Sequence, residues 1–257
     1  MNSYPFRSYM LILSAVLLLN VSCDTKPNKP KEIALTIVED SVFGTEYANQ
    51  ARENITAKVA DGLELTLWAS DSLAPDPVAM DIDSKGRIYL TRTNRQKHSE
   101  FDIRGYRQWM TPSISLQSVE DRRAFLRKTF APELSEENSW LKDLNNDSIH
   151  DWKDLAVEKD EVWMLEDVNG DGLADKSSRI LEDFDTEITD VAGALLVRDE
   201  DVFVGIGPDM WRLTDSNEDG VLDEKTSIAH GFAVHIGFGG HGMSGAIQGP
   251  DGKIYWG

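Results

Sequence analysis

A unit that comes round twice constrains this chain more than any other feature. Residues 163–175 (WMLEDVNGDGLAD) match residues 211–223 (WRLTDSNEDGVLD) at an offset of 48. Each copy reads as a strand and an acidic loop, and a further strand follows at 176–181 or 225–229. A second motif recurs around them. Residues 78–90, 193–205 and 245–257 each alternate apolar residues about a polar Asp- or Gly-bearing turn, which is the pattern of a β-hairpin. Tyr89, Phe203 and Tyr255 take equivalent places, with 52 residues from Phe203 to Tyr255 and 114 from Tyr89 to Phe203. The longer gap equals one period plus an insertion. Two motifs recurring in one order give four strands in about fifty residues, the signature of a β-propeller blade. The fold class is therefore all-β, a partial β-propeller over 62–257 cut short after two to three blades. A plain β-sandwich is the alternative, as is a chain that closes its ring by oligomerising.

The insertion spans 95–160. Ser118 to Asp121 reads as a capping box, and Ala124, Phe125, Leu126 and Phe130 continue as an apolar helical stripe, so a small helical excursion is expected there. Residues 33–61 read as an irregular or weakly helical lead-in.

The first 22 residues read as a targeting segment. Arg7 is their only charge, and the apolar run at 10–19 is short for a membrane span. The run ends in LNVSC at 19–23, which resembles a bacterial lipobox, and Cys23 is the single cysteine of the chain. Lipidation at Cys23 would anchor the product to a membrane of the cell envelope, with 23–32 as a polar tether. An ordinary signal peptide with an incidental cysteine is the alternative. One cysteine excludes an internal disulfide and a Cys-ligated zinc or iron–sulfur centre. With 45 acids against 26 bases the net charge is -19, which repels phosphate backbones and speaks against a nucleic-acid partner.

The acidic loops carry a pattern of hard oxygens. D-x-N-x-D-G-x-x-D occurs at Asp167/Asn169/Asp171/Asp175 and at Asp215/Asn217/Asp219/Asp223, and a third copy at Asp143/Asn145/Asp147/Asp151 has Ser148 in place of glycine. Side chains at positions 1, 3 and 5 of a tight loop converge, position 7 offers a backbone carbonyl, and position 9 closes the shell. Calcium prefers such oxygen sets. Gly172 and Gly220 stand at position 6, where the chain must turn with positive φ. Ser178 and Thr226 occupy position 12, where a full EF-hand has Glu, and the copy that starts at Asp143 has Asp154 there. The loops resemble the shorter calcium loops of dockerin-like and thrombospondin-like repeats. Solvated turns without an ion are the alternative.

The segment 235–255 (HIGFGGHGMSGAIQGPDGKIY) resembles the stretch that carries the catalytic base in soluble glucose/aldose sugar dehydrogenases that use pyrroloquinoline quinone. Residues 62–257 as a whole resemble more closely a membrane-bound dehydrogenase family of secreted bacterial proteins. That resemblance implies a six-bladed propeller and a later haem-binding domain. It implies His241 as the base that takes a proton from a sugar or alcohol hydroxyl, with His235 in the same pocket. Arg92 and Arg95 are candidates to hold the quinone carboxylates. The chain has no C-x-x-C-H, so a c-type haem would belong to a domain outside it. The competing expectation is a calcium-stabilised propeller that binds a glycan or protein and does no chemistry. A third is a scaffold that passes electrons to the haem domain. His98, His150 and His230 read as surface or turn residues. The glycines at 237–245 precede no helical pattern, which excludes a phosphate loop.

Overall fold

The structure is a computed structural model that describes residues 34–38 and 42–257. The targeting segment at 1–22, Cys23 and the tether to residue 32 lie outside the described residues. No helix among the described residues is long and apolar enough to cross a membrane.

The chain is mostly antiparallel β-sheet. Strand β1 (Leu35–Val38) is followed by helix α1 (Val42–Glu53), then by β2 (Ala79–Ile82), β3 (Ile88–Arg92), β4 (Asp160–Glu166) and β5 (Lys176–Asp183). Strands β2 to β5 form a meander, and β1 adds to its outer edge in the order β1-β5-β4-β3-β2. A second meander follows in strict sequence: β6 (Ala192–Arg198), β7 (Asp201–Ile206), β8 (Asp209–Thr214) and β9 (Glu224–His230). A hairpin of β10 (Ala246–Gln248) and β11 (Ile254–Trp256) comes last. The four-stranded unit expected from the repeats is therefore present twice, and each acidic loop of the repeat joins the third strand of a meander to its fourth. The lead-in at 33–61 holds one strand that was not expected. β1 is four residues long, and its pairing of Thr36 with Ser178 is set by the free edge of β5.

The turns explain the registers. Asp83 Oδ1 accepts the N–H groups of Lys85 and Arg87 at 2.9 Å each and closes the β2–β3 turn, where Gly86 takes φ +81°. Asp251 does the same for Lys253 at 3.2 Å between β10 and β11. Strand β6 is buried on both faces along most of its length. It lies against β2 and β3 on one side and β10 on the other, so the first strands of the three units run side by side. Thr91 Oγ1 donates to the Ala192 carbonyl at 2.7 Å, and the Val197 N–H donates to Asp81 Oδ2 at 2.7 Å. Val162, Ile180, Leu195, Val197, Val204 and Leu213 fill the space between the meanders.

The insertion separates β3 from β4 and is helical, with α2 (Met110–Ile114) and α3 (Val119–Thr129). Ser118 caps α3 by accepting from the Asp121 N–H at 3.1 Å, while the Asp121 carboxylate accepts from Gln117 at 3.0 Å. Leu126 and Phe130 are buried as expected, but Ala124 faces solvent and Val119 takes a core place instead. Phe101 stacks on Phe130 at 5.3 Å, and Trp109, Leu141, Leu155 and Ile236 complete this second core.

Candidate functional site

The Gly-rich segment between β9 and β10 is held by the insertion. Ile103 N–H donates to the Gly237 carbonyl at 2.9 Å, Gly239 N–H to Asp102 Oδ2 at 3.2 Å, and Gly240 N–H to Glu100 Oε1 at 2.5 Å. Ile236 N–H donates to Ser113 Oγ at 3.0 Å, and Arg122 Nη1 to the Ala233 carbonyl at 2.6 Å. Arg104 lies 4.9 Å from the Phe238 ring centre and pairs with Asp102, whose carboxyl it holds well below the usual range. Glycine at these positions lets the backbone donate to two carboxylates with no side chain between them.

The two histidines expected to share a pocket do so. His235 and His241 line a cavity of about 120 Å³ together with Glu100, Phe101, Arg122 and Asp190. Four stretches of chain meet there: the start of the insertion, α3, the β5–β6 connection and the β9–β10 segment. His241 Nδ1 stands 3.0 Å from the Gly239 carbonyl. A carbonyl only accepts, so Nδ1 carries a proton, and in the neutral ring Nε2 is the acceptor. Burial raises the Glu100 carboxyl above its ordinary range, and the charges of Asp190 and Asp102 add to this, against the Gly240 N–H and His241. Burial lowers the Arg122 guanidinium, offset in part by Asp190 and Glu100.

Arg92 and Arg95 are placed elsewhere. Arg92 reaches Glu161 across the β3–β4 pair at 3.5 Å. Arg95 is 1% exposed and donates to the carbonyls of Leu155, Glu158 and Phe184, with Asp160 at 3.8 Å. Neither lines the cavity: Arg92 is drawn to the β3–β4 pair and Arg95 is buried against carbonyls of the insertion and of the β5–β6 connection. Sequence reasoning missed Glu100, Arg122 and Asp190. They lie 51 to 141 residues before His241, in elements with no shared motif.

The three acidic loops share one hydrogen-bond cage. The position 1 carboxylate accepts the N–H of position 6: Gly172 to Asp167 at 2.8 Å, Gly220 to Asp215 at 2.7 Å and Ser148 to Asp143 at 3.0 Å. The position 3 amide oxygen accepts from position 5 at 2.8, 3.1 and 2.9 Å in Asn169, Asn217 and Asn145. The position 5 carboxylate accepts from position 7 at 2.9, 2.9 and 2.8 Å in Asp171, Asp219 and Asp147. Positive φ occurs at position 6, as expected, and also at position 4, in Gly170, Glu218 and Asn146. Asp175 and Asp223 at position 9 accept the N–H of position 2 at 3.1 and 2.7 Å. In the loop that starts at Asp143, Asp154 at position 12 takes over that task, while Asp151 accepts from Lys153. Among the described residues no three His, Cys, Asp or Glu side chains stand close enough to share one ion. The side-chain acceptors of each loop are all oxygen, an amide beside carboxylates.

Residues 49–257 match the family described as Domain of unknown function (DUF7133). The chain belongs to that family. The match takes in both meanders, the insertion, the three acidic loops and the cavity, and leaves out β1. No curated protein and no solved structure matches the chain. The family description names no activity, so a functional reading has to rest on the chemistry of the site.

Proposed function

We propose that this chain is a run of consecutive blades of a lipid-anchored β-propeller, stiffened by calcium in its acidic loops, and that the His241 cavity binds a hydroxyl-bearing ligand of the sugar class. The side-by-side packing of β2, β6 and β10 supports the propeller reading. The cage repeated in three loops supports calcium, which would neutralise carboxylates that otherwise repel one another.

One observation carries the ligand reading. Glu100, Asp190, Arg122, His235 and His241 converge on one small cavity, with Phe101 and Phe238 beside them. Carboxylates and the Nε2 lone pair accept from hydroxyls, a guanidinium donates to them, and aromatic faces cover the C–H side of a sugar ring. The same groups do not fit pyrroloquinoline quinone. Two carboxylates stand against one arginine, whose Nη1 is already on a carbonyl, so a ligand with several carboxylates meets repulsion there. Binding without chemistry is therefore the favoured reading. A second reading is proton abstraction from a substrate hydroxyl by His241, and the Nδ1 contact with the Gly239 carbonyl favours it, since in the neutral ring it leaves Nε2 to act as base.

Saturation-transfer NMR with neutral hexoses, alditols and short glycans tests the proposal. Binding is expected, with loss in Asp190→Asn and weakening in His241→Ala. Absence of binding by the whole panel, or binding that both variants leave unchanged, would contradict it. A dye-reduction screen on the sugars that bind separates the readings, because turnover abolished in His241→Ala supports the base.

A further inference from the structure

A second cavity of about 220 Å³ lies between α3 and the second meander. Its floor is the Phe184–Trp211 pair, with ring centres 5.4 Å apart and planes tilted by 47°. Four carboxylates line it (Glu120, Asp183, Asp185 and Asp209), against the two cations Arg123 and Lys225. At its rim Asp209 Oδ1 accepts from Ser227 Oγ at 2.5 Å and pairs with His230 Nδ1 at 2.8 Å. His230 is exposed, as expected of a surface or turn residue, and is braced by the buried Asp209 carboxylate.

One ammonium already sits in this setting. Lys225 Nζ stands 4.9 Å from the Phe184 ring centre and 5.7 Å from that of Trp211, and it is 2.5 Å from Asp183 Oδ2. Aromatic faces and a carboxylate around one cation are the elements by which proteins recognise organic ammonium ions. The Lys225 side chain is 42% exposed and that of Asp183 30%, so this ion pair is a weakly held surface contact.

We propose that this cavity binds a small organic ammonium ion, and that Lys225 is its built-in competitor. An incoming methylated ammonium would take the place of Lys225 Nζ over the two rings, with excess carboxylate around it. The lysine would swing to solvent. This site shares no lining group with the His241 cavity except Thr189, so the inference stands apart from the sugar reading.

The test is a titration of the ¹⁵N-labelled chain with choline, at matched ionic strength, beside its neutral isostere 3,3-dimethylbutan-1-ol. Choline is expected to shift the Trp211 indole and the amides near Phe184, and the neutral alcohol is not. Lys225→Ala should tighten choline binding about tenfold, since it removes the competing cation. Trp211→Leu in that background should abolish the response. Asp183→Asn, a change at a partly exposed side chain that leaves the core intact, should weaken it. Equal shifts from the alcohol, or choline affinity that is unchanged or lowered in Lys225→Ala, would overturn the proposal.

Discussion

The acidic loops of the meanders and the acidic loop of the insertion spell nearly the same pattern, yet they bind their carboxylates into the fold differently. In the β4–β5 and β8–β9 loops the orienting residue is at position 9, and Asp175 and Asp223 are only half-buried. In the insertion that task passes to position 12. Asp154 is 0% exposed and accepts three N–H groups, from Leu144 at 2.8 Å, Asn145 at 3.3 Å and Asp151 at 3.0 Å. The same cage is thus built once from inside the core and twice at the edge of a sheet. A short polar motif fixes its local hydrogen bonds, while the surrounding packing decides which residue closes it and how much stability depends on that residue.

The sharpest way to break this comparison is to remove the two closing residues in turn. Asp154→Ala leaves buried N–H groups without acceptors and should cost about 3–5 kcal/mol, whereas Asp175→Ala should cost about 1–2 kcal/mol. Urea melts of the two variants check this, and equal losses would erase the distinction. Chelation is the next largest effect. For each loop that calcium holds, EDTA should lower stability by about 3 kcal/mol relative to calcium at 100-fold its Kd, read as a drop of about 6–12 °C in Tm per loop. Identical melting curves would remove the ion from the account.

Acid adds a further contrast at the foot of the insertion. Burial pushes the Asp160 carboxyl up to about 6 against the pull of Arg95, from an ordinary 3.8. The folded chain therefore takes up this proton before the unfolded chain does. The resulting stability is fully present below 3.8 and is lost as pH rises through about 6. The difference in unfolding free energy between wild type and Asp160→Asn should slope by about 2–3 kcal/mol over pH 4–7. The smallest effects come from the turns. Gly172→Ala forces a side chain into φ +89° and should cost about 1–2 kcal/mol. Ser148→Gly relieves φ +66° in the insertion loop and should be neutral or stabilise by about 0.5 kcal/mol, because the freer unfolded chain offsets the relief.

Much of this architecture is legible in the chain itself. Alternation around the turns at Asp83, Asp199 and Asp251 announces three hairpins, because one buried face demands a period of two. The N-cap at Ser118 announces α3. What stays hidden is whatever depends on distant partners. β1 exists only because β5 offers an edge, and four residues carry no periodicity of their own. Ala124 fits a helical stripe but lies on the solvent side, since the rotation of α3 is set by Phe101 and Trp109, far from it in sequence. The same holds for the cavity: the two histidines announce themselves in a Gly-rich run, but Glu100, Arg122 and Asp190 arrive through folding. The position 4 residues of the loops take positive φ as Gly, Glu and Asn alike, so composition gives no sign of it.

Calorimetric titration of calcium into the chelator-stripped chain tests most directly whether the repeated cages hold ions. Three bound ions are expected, with Asp143→Ala, Asp167→Ala and Asp215→Ala each removing one. A flat thermogram, or a stoichiometry that none of the three variants changes, would contradict it.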